Sequence, residues 1–186
     1  MTQRGRPTIP PVLSIDTTAT VLGHACWLEA RCFEVLGAWV PLVAEPDVKL
    51  LVARHSRHHG WHVELLTEVL PATRAHDPAR LVVPPADGWP AAVELIAGDP
   101  ATPTLERLAG LYQALLPRLL LTHVETLDAT SPVSDGPVAR RLRLVIEDER
   151  GDLAEGLTLL ETLPEDRAAD RVARRRAEID AALPAR

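Results

Sequence analysis

Aromatic residues are scarce in this sequence: four Trp, one Tyr and one Phe among 186 residues. A β-rich core draws heavily on aromatic and β-branched side chains, so the shortage favours helices built from Ala, Leu, Val and Arg. Cysteine is scarcer still. Cys26 and Cys32 sit in one helical stretch, about 9 Å apart along a helix axis and too far for a disulfide. Reduced, buried thiols in a cytoplasmic protein are the reading that follows. No apolar run approaches the ~20 residues that span a bilayer, and the start, MTQRGRPTIPP, lacks the apolar segment of a signal peptide. Neither a membrane nor secretion is expected. Also missing are Gly-x-Gly-x-x-Gly, a phosphate loop, a Gly-x-Ser-x-Gly elbow and cysteines at zinc-finger spacing. The formal charge of −6 argues against a nucleic-acid partner. The one basic cluster, Arg171 to Arg176, is surrounded by Asp166, Asp170, Glu178 and Asp180 and reads as a solvated helix face.

What is present suits a single all-α domain over 1–186. Residues 1–15 are polar and Pro-containing, and read as an N-terminal arm. Asp16 or Thr17 is a plausible N-cap for the first helix. Its apolar stripe is Leu22, Ala25, Cys26, Cys32, Phe33, Leu36, Val40 and Val43, and Pro41 should end or kink it. Glu45-Pro46-Asp47 opens a second helix that runs to about Leu70 and is closed by Pro71. Seven prolines between 71 and 103 mark a long crossover, with room for a short helix at 91–97; Leu81-Val82-Val83 is a poor strand. The third helix covers about 104–127, with Leu105, Leu108, Tyr112, Leu115, Leu116 and Leu119 on its stripe and a kink expected at Pro117. After a turn at 131–137 the fourth helix runs to about 163. Its stripe is Val138, Leu142, Val145, Ile146, Leu153, Gly156, Leu157 and Leu160. Pro164-Glu165-Asp166 should open an accessory C-terminal helix over 165–183, thinly apolar and docked on the surface or at one end.

Four of the seven histidines lie in Arg54 to Glu64, RHSRHHGWHVE. Spacings of four and three put His55, His59 and His62 on one side of a helix, the side that also carries Val48, Leu51, Val52, Leu66 and Val69. Buried polar groups need partners. Glu29 occupies the centre of the first helix's apolar stripe. In an antiparallel hairpin turning near position 45 it stands level with His59 and His62. Glu149 holds the centre of the fourth stripe, and Asp152 lies one turn on. His123 closes the third stripe. His58 falls at the boundary, while His24 and His76 read as surface residues. Glu34, Glu147 and Asp148 point away from the apolar faces. Trp39 and Trp61 lie off the stripe centre, as packing or interface residues.

Two helical hairpins joined by a long crossover resemble the ferritin-like superfamily, and the likeness is carried by Glu29, His59-Gly-Trp-His62 and Glu149-Arg-Gly-Asp152. Di-iron members place one Glu on each of two helices and a Glu-x-x-His pair on each of the other two. In this chain Glu29 matches a lone Glu. His59 and His62 match one pair with its Glu replaced by His, and Glu149 and Asp152 the other with its His replaced by Asp. The third helix offers Leu116 and Leu119 at the expected level, with His123 about a turn away and Glu125 facing outward. The resemblance implies a ferritin-like four-helix bundle over 17–163. It further implies one or two iron or manganese ions held among Glu29, His59, His62, Glu149 and Asp152, with His55 and His123 as further candidates. O₂-dependent oxidation or hydroxylation of an unknown small molecule would be the activity. Imidazole with carboxylate suits iron, manganese or zinc. The same side chains can also satisfy one another without metal, which leaves a metal-free binding or assembly module as the alternative. Bundles often pair through exposed apolar faces, so a homodimer stays open.

Overall fold

A computed structural model describes residues 13–163 and 169–185. Of the arm expected over 1–15, residues 1–12 lie outside the described residues, as does the start of the last helix at 164–168; Ile15 already belongs to the first helix. The all-helical expectation holds: no strand occurs among the described residues. Among the described residues no helix is long and apolar enough to cross a membrane.

Helix α1 (Ile15–Trp39) is capped by Ser14, whose hydroxyl accepts from Thr17 N at 3.1 Å. The cap therefore sits ahead of Asp16 and Thr17, because Ser14 already supplies an oxygen in extended backbone. Helix α2 (Pro46–Thr67) starts with Pro at its first position, where a missing N–H costs nothing. It ends a few residues before Pro71. The two run antiparallel, since contacts on α2 fall in number as α1 rises: Cys26 meets Thr67, and Phe33 meets Ser56.

The crossover holds two short helices, α3 (Pro78–Leu81) and α4 (Gly88–Ala97); α4 begins earlier than its expected span of 91–97. Gly23 lets α3 lie against α1, since a Cβ there would meet Leu81 O at 2.2 Å. Arg107 ties the end of the crossover down. Its buried guanidinium donates to the carbonyls of Thr102, Ala97, Asp99 and Pro100.

The third rod comes in three pieces: α5 (Thr104–Ala109), a π-helical turn (Gly110–Leu115) and α6 (Leu116–Asp128). Pro117 has no N–H for the α ladder. Just before it, Leu116 N–H reaches back five residues to Leu111 O. The expected kink is thus a widened turn one residue earlier. Helix α7 (Gly136–Thr162) lies antiparallel to both α2 and α6: His62, His55 and Arg54 meet Asp148, Asp152 and Glu155 in that order, and His123 meets Glu149. Helix α8 (Ala169–Ala182) docks at one end, burying Ile179 against the π turn at Gly110.

The apolar interior falls into two clusters. One gathers Leu36, Trp39, Val48, Val52, Leu116 and Leu160; the other gathers Leu22, Cys26, Leu66, Leu142 and Ile146. Between them along α1, α2, α6 and α7 lies a polar layer. Phe33 and Leu157, expected on the buried stripes, are instead surface residues, because each falls at the edge of its stripe; the Phe33 ring lies along the α1–α2 seam against Gly60.

Gly156 gives the tightest helix contact near this layer. A Cβ there would meet the Tyr112 ring at 2.3 Å, far inside contact distance. Gly156→Ala is therefore expected to cost about 1–3 kcal/mol through overpacking, measured by urea unfolding. A neutral result would mean that Tyr112 has room to move.

Candidate metal centre

Glu29 is the hub of the polar layer. Its Oε2 accepts from His59 Nδ1 at 2.6 Å and from His62 Nδ1 at 3.0 Å, and its Oε1 accepts from His123 Nε2 at 2.7 Å. Three imidazoles from two helices, α2 and α6, thus converge on a carboxylate that is 0% exposed. Burial by itself would raise the Glu29 pKa. The charges of His62 and His59, with hydrogen bonds from His123 and His59, outweigh it and hold the carboxyl well below its usual range. His62 shows the reciprocal effect. Burial lowers it, but Glu29 and then Asp148 more than offset that, so its pKa is raised.

Glu149 faces this hub from α7 and is likewise 0% exposed. His123 Nε2 stands 3.5 Å from its Oε1, too long for a good hydrogen bond. Burial and then the negative charge of Glu29 push the Glu149 carboxyl well above its usual pKa. Two carboxylates in one dry layer cannot both ionise at low cost, and the opposite shifts of Glu29 and Glu149 follow from that.

Glu29, His59, His62 and Glu149 each offer one ligand atom, and the four atoms lie within 4.8 Å of one another. Ligands at ~2.0–2.2 Å from one ion stand at most about 4.4 Å apart. Small side-chain adjustments would therefore close the set on a metal. This buried His/carboxylate cluster could hold a metal ion.

The remaining sequence candidates divide. His123 joins the inner layer through Glu29, although the helical count had put Leu116 and Leu119 at that level. His55 and Asp152 form a neighbouring group with Glu155, whose ligand atoms also lie within 4.8 Å of one another. There His55 Nε2 is 3.2 Å from Asp152 Oδ1 and 3.2 Å from Glu155 Oε2, and His58 Nδ1 donates to Asp152 Oδ1 at 2.9 Å. His58 is a boundary residue as expected. Its ring stacks with those of His55 and the half-exposed Trp61, and Arg57 lies over the indole.

Three partners escaped the sequence reading. Asp148, expected to point elsewhere, is exposed yet reaches His62 Nε2 at 3.4 Å, because His62 lies where α2 and α7 meet. Glu155 continues the three-residue spacing of Glu149 and Asp152, a pattern visible in the sequence. Tyr112 looked like one more apolar residue, but its hydroxyl is 2.7 Å from His55 Nδ1. His24 is half-buried rather than at the surface. His76 is buried, held between Asp16 and Thr73 at 2.7 and 2.8 Å; the crossover folds back over the start of α1 and covers it.

Comparison with protein-family models, with curated proteins and with solved structures finds no match.

Proposed function

We propose that this protein is a ferritin-like four-helix bundle whose inner polar layer binds one or two transition-metal ions, iron or manganese. Connectivity supports the fold: α1 and α7 run one way, α2 and α6 the other, and such an order needs one long crossover, supplied by residues 71–103. One observation carries the metal. His59 Nε2, His123 Nδ1 and both oxygens of Glu149 are buried with no hydrogen-bond partner among the described residues. Orphaned polar atoms are costly, and here they gather in one layer with donor types that suit these ions.

Glu29, His59, His62 and Glu149 would hold the ion, with His123 beside them. A redox-active ion bound there would supply one-electron and O₂ chemistry, which makes oxidation or hydroxylation of a small molecule the activity in this reading. The protein's own share is positional. Glu29 accepts from Nδ1 of His59 and thereby leaves Nε2 with a lone pair. His62 is oriented from both sides, by Glu29 at Nδ1 and by the exposed Asp148 at Nε2. The two apolar clusters shut out water above and below. The competing reading, a metal-free bundle for binding or assembly, draws on the bonds that Glu29 already makes to three imidazoles.

Metal analysis of protein purified without chelator or affinity tag separates the two, beside His59→Ala and Glu149→Ala. Stoichiometric iron or manganese in the wild type and its loss in both variants is the expected result. A folded wild type that carries no metal, and whose melting temperature ignores added Fe(II) and Mn(II) under anaerobic conditions, would overturn the proposal.

A further inference from the structure

We propose that His55, Asp152 and Glu155 form a second divalent-cation site, distinct from the inner layer and open to solvent. The three side chains come from facing helices, α2 and α7, and bring their ligand atoms within 4.8 Å of one another. One imidazole and two carboxylates form a ligand set that first-row divalent ions accept, and waters can fill the remaining positions.

The surroundings are those of a built site. Tyr112 OH fixes His55 Nδ1 at 2.7 Å and directs Nε2 toward the two acids. Outer hydrogen bonds of this kind orient metal-ligating histidines. The π turn and the absence of a side chain at Gly156 bring Tyr112 to that position. His58 holds Asp152 from the outer side. Asp152 is 3% exposed, whereas the side chain of Glu155 is half-exposed. Glu155 and Arg54 line an open groove of about 520 Å³ between α2 and α7, which leaves the Glu155 edge of the site facing solvent.

Arg54 donates to Glu155 and supplies the positive charge that a metal would otherwise bring. It comes from the groove side and is itself half-exposed, so it can swing into solvent as the ion arrives. Glu155 then exchanges a guanidinium for a metal without leaving His55.

The test is calorimetric titration of the full chain with Zn(II), a probe without redox chemistry, with circular dichroism to confirm folding. Wild type is expected to bind at two sites. Glu155→Gln and His55→Gln should each lose one equivalent and keep the other, and Tyr112→Phe should weaken the same site by about 10–100-fold. Arg54→Ala should tighten it. Glu149→Gln should lose only the other equivalent. One equivalent that vanishes in Glu149→Gln and is untouched in Glu155→Gln would overturn the second site and leave the inner one standing. One equivalent with the opposite sensitivities would support the second site and count against the inner one. No binding at all would overturn both.

Discussion

Replacing Glu29 with Ala is expected to remove about 3–5 kcal/mol of folding stability, the cost of breaking a buried charged network from one side. His59, His62 and His123 would all lose their acceptor at once. His62 would be left in an apolar layer with only the longer contact to Asp148. Against a typical total of ~5–15 kcal/mol, that loss is a large fraction. Urea unfolding at neutral pH measures it, read as a fall in midpoint with the slope unchanged. A change below about 1 kcal/mol, the worth of one ordinary hydrogen bond, would mean that the three rings do not depend on Glu29. Glu29→Gln keeps one oxygen acceptor and should fall between wild type and Ala.

Glu149→Gln should move stability the other way in the metal-free protein. The folded state raises the Glu149 pKa through burial and the charge of Glu29. The stability contributed by its proton is therefore complete below the unfolded value, ~4.3. It is lost as pH rises through the folded value. Gln has no proton to lose, so the variant should gain on wild type as pH rises across that window, by up to about 1.4 kcal/mol per pH unit. Glu29 has the reverse dependence. Its lowered pKa contributes stability above ~4.3 that disappears as pH falls through the folded value. On the proposed reading bound metal changes the order, because an ionised Glu149 would then be a ligand. Thermal melts across pH, with and without Mn(II), should find the variant more stable without metal and less responsive to it. A variant destabilised at every pH would show that ionised Glu149 already has a structural partner.

The four long helices were legible because their apolar stripes and proline boundaries agree. Glu29 and Glu149 stood out for the same reason, as carboxylates at the centre of stripes that had to be buried. Pairing Glu29 with His59 and His62 needed only an antiparallel hairpin and a turn near 45. The helix-three position was not legible. A regular helical count put Leu116 and Leu119 at the level that His123 occupies, and a π turn cannot be read from apolar spacing. Asp148 and Glu155 were missed because they sit on the exposed half of α7 yet reach inward at its seam with α2. Division of the histidines into an inner and an outer group depends on the α2–α7 register, which one strand of sequence does not contain.

The polar layer between the two apolar clusters also fixes how the helices align lengthwise. Leu, Ala and Val surfaces with so few aromatics are nearly interchangeable from turn to turn, and a helix could slip by ~5.4 Å and still find grease to touch. Slippage of α1 against α2 would break the bonds that Glu29 makes to His59 and His62, at a cost of several kcal/mol. The hub therefore acts as a dowel through the stack, and it does so whether or not an ion is bound.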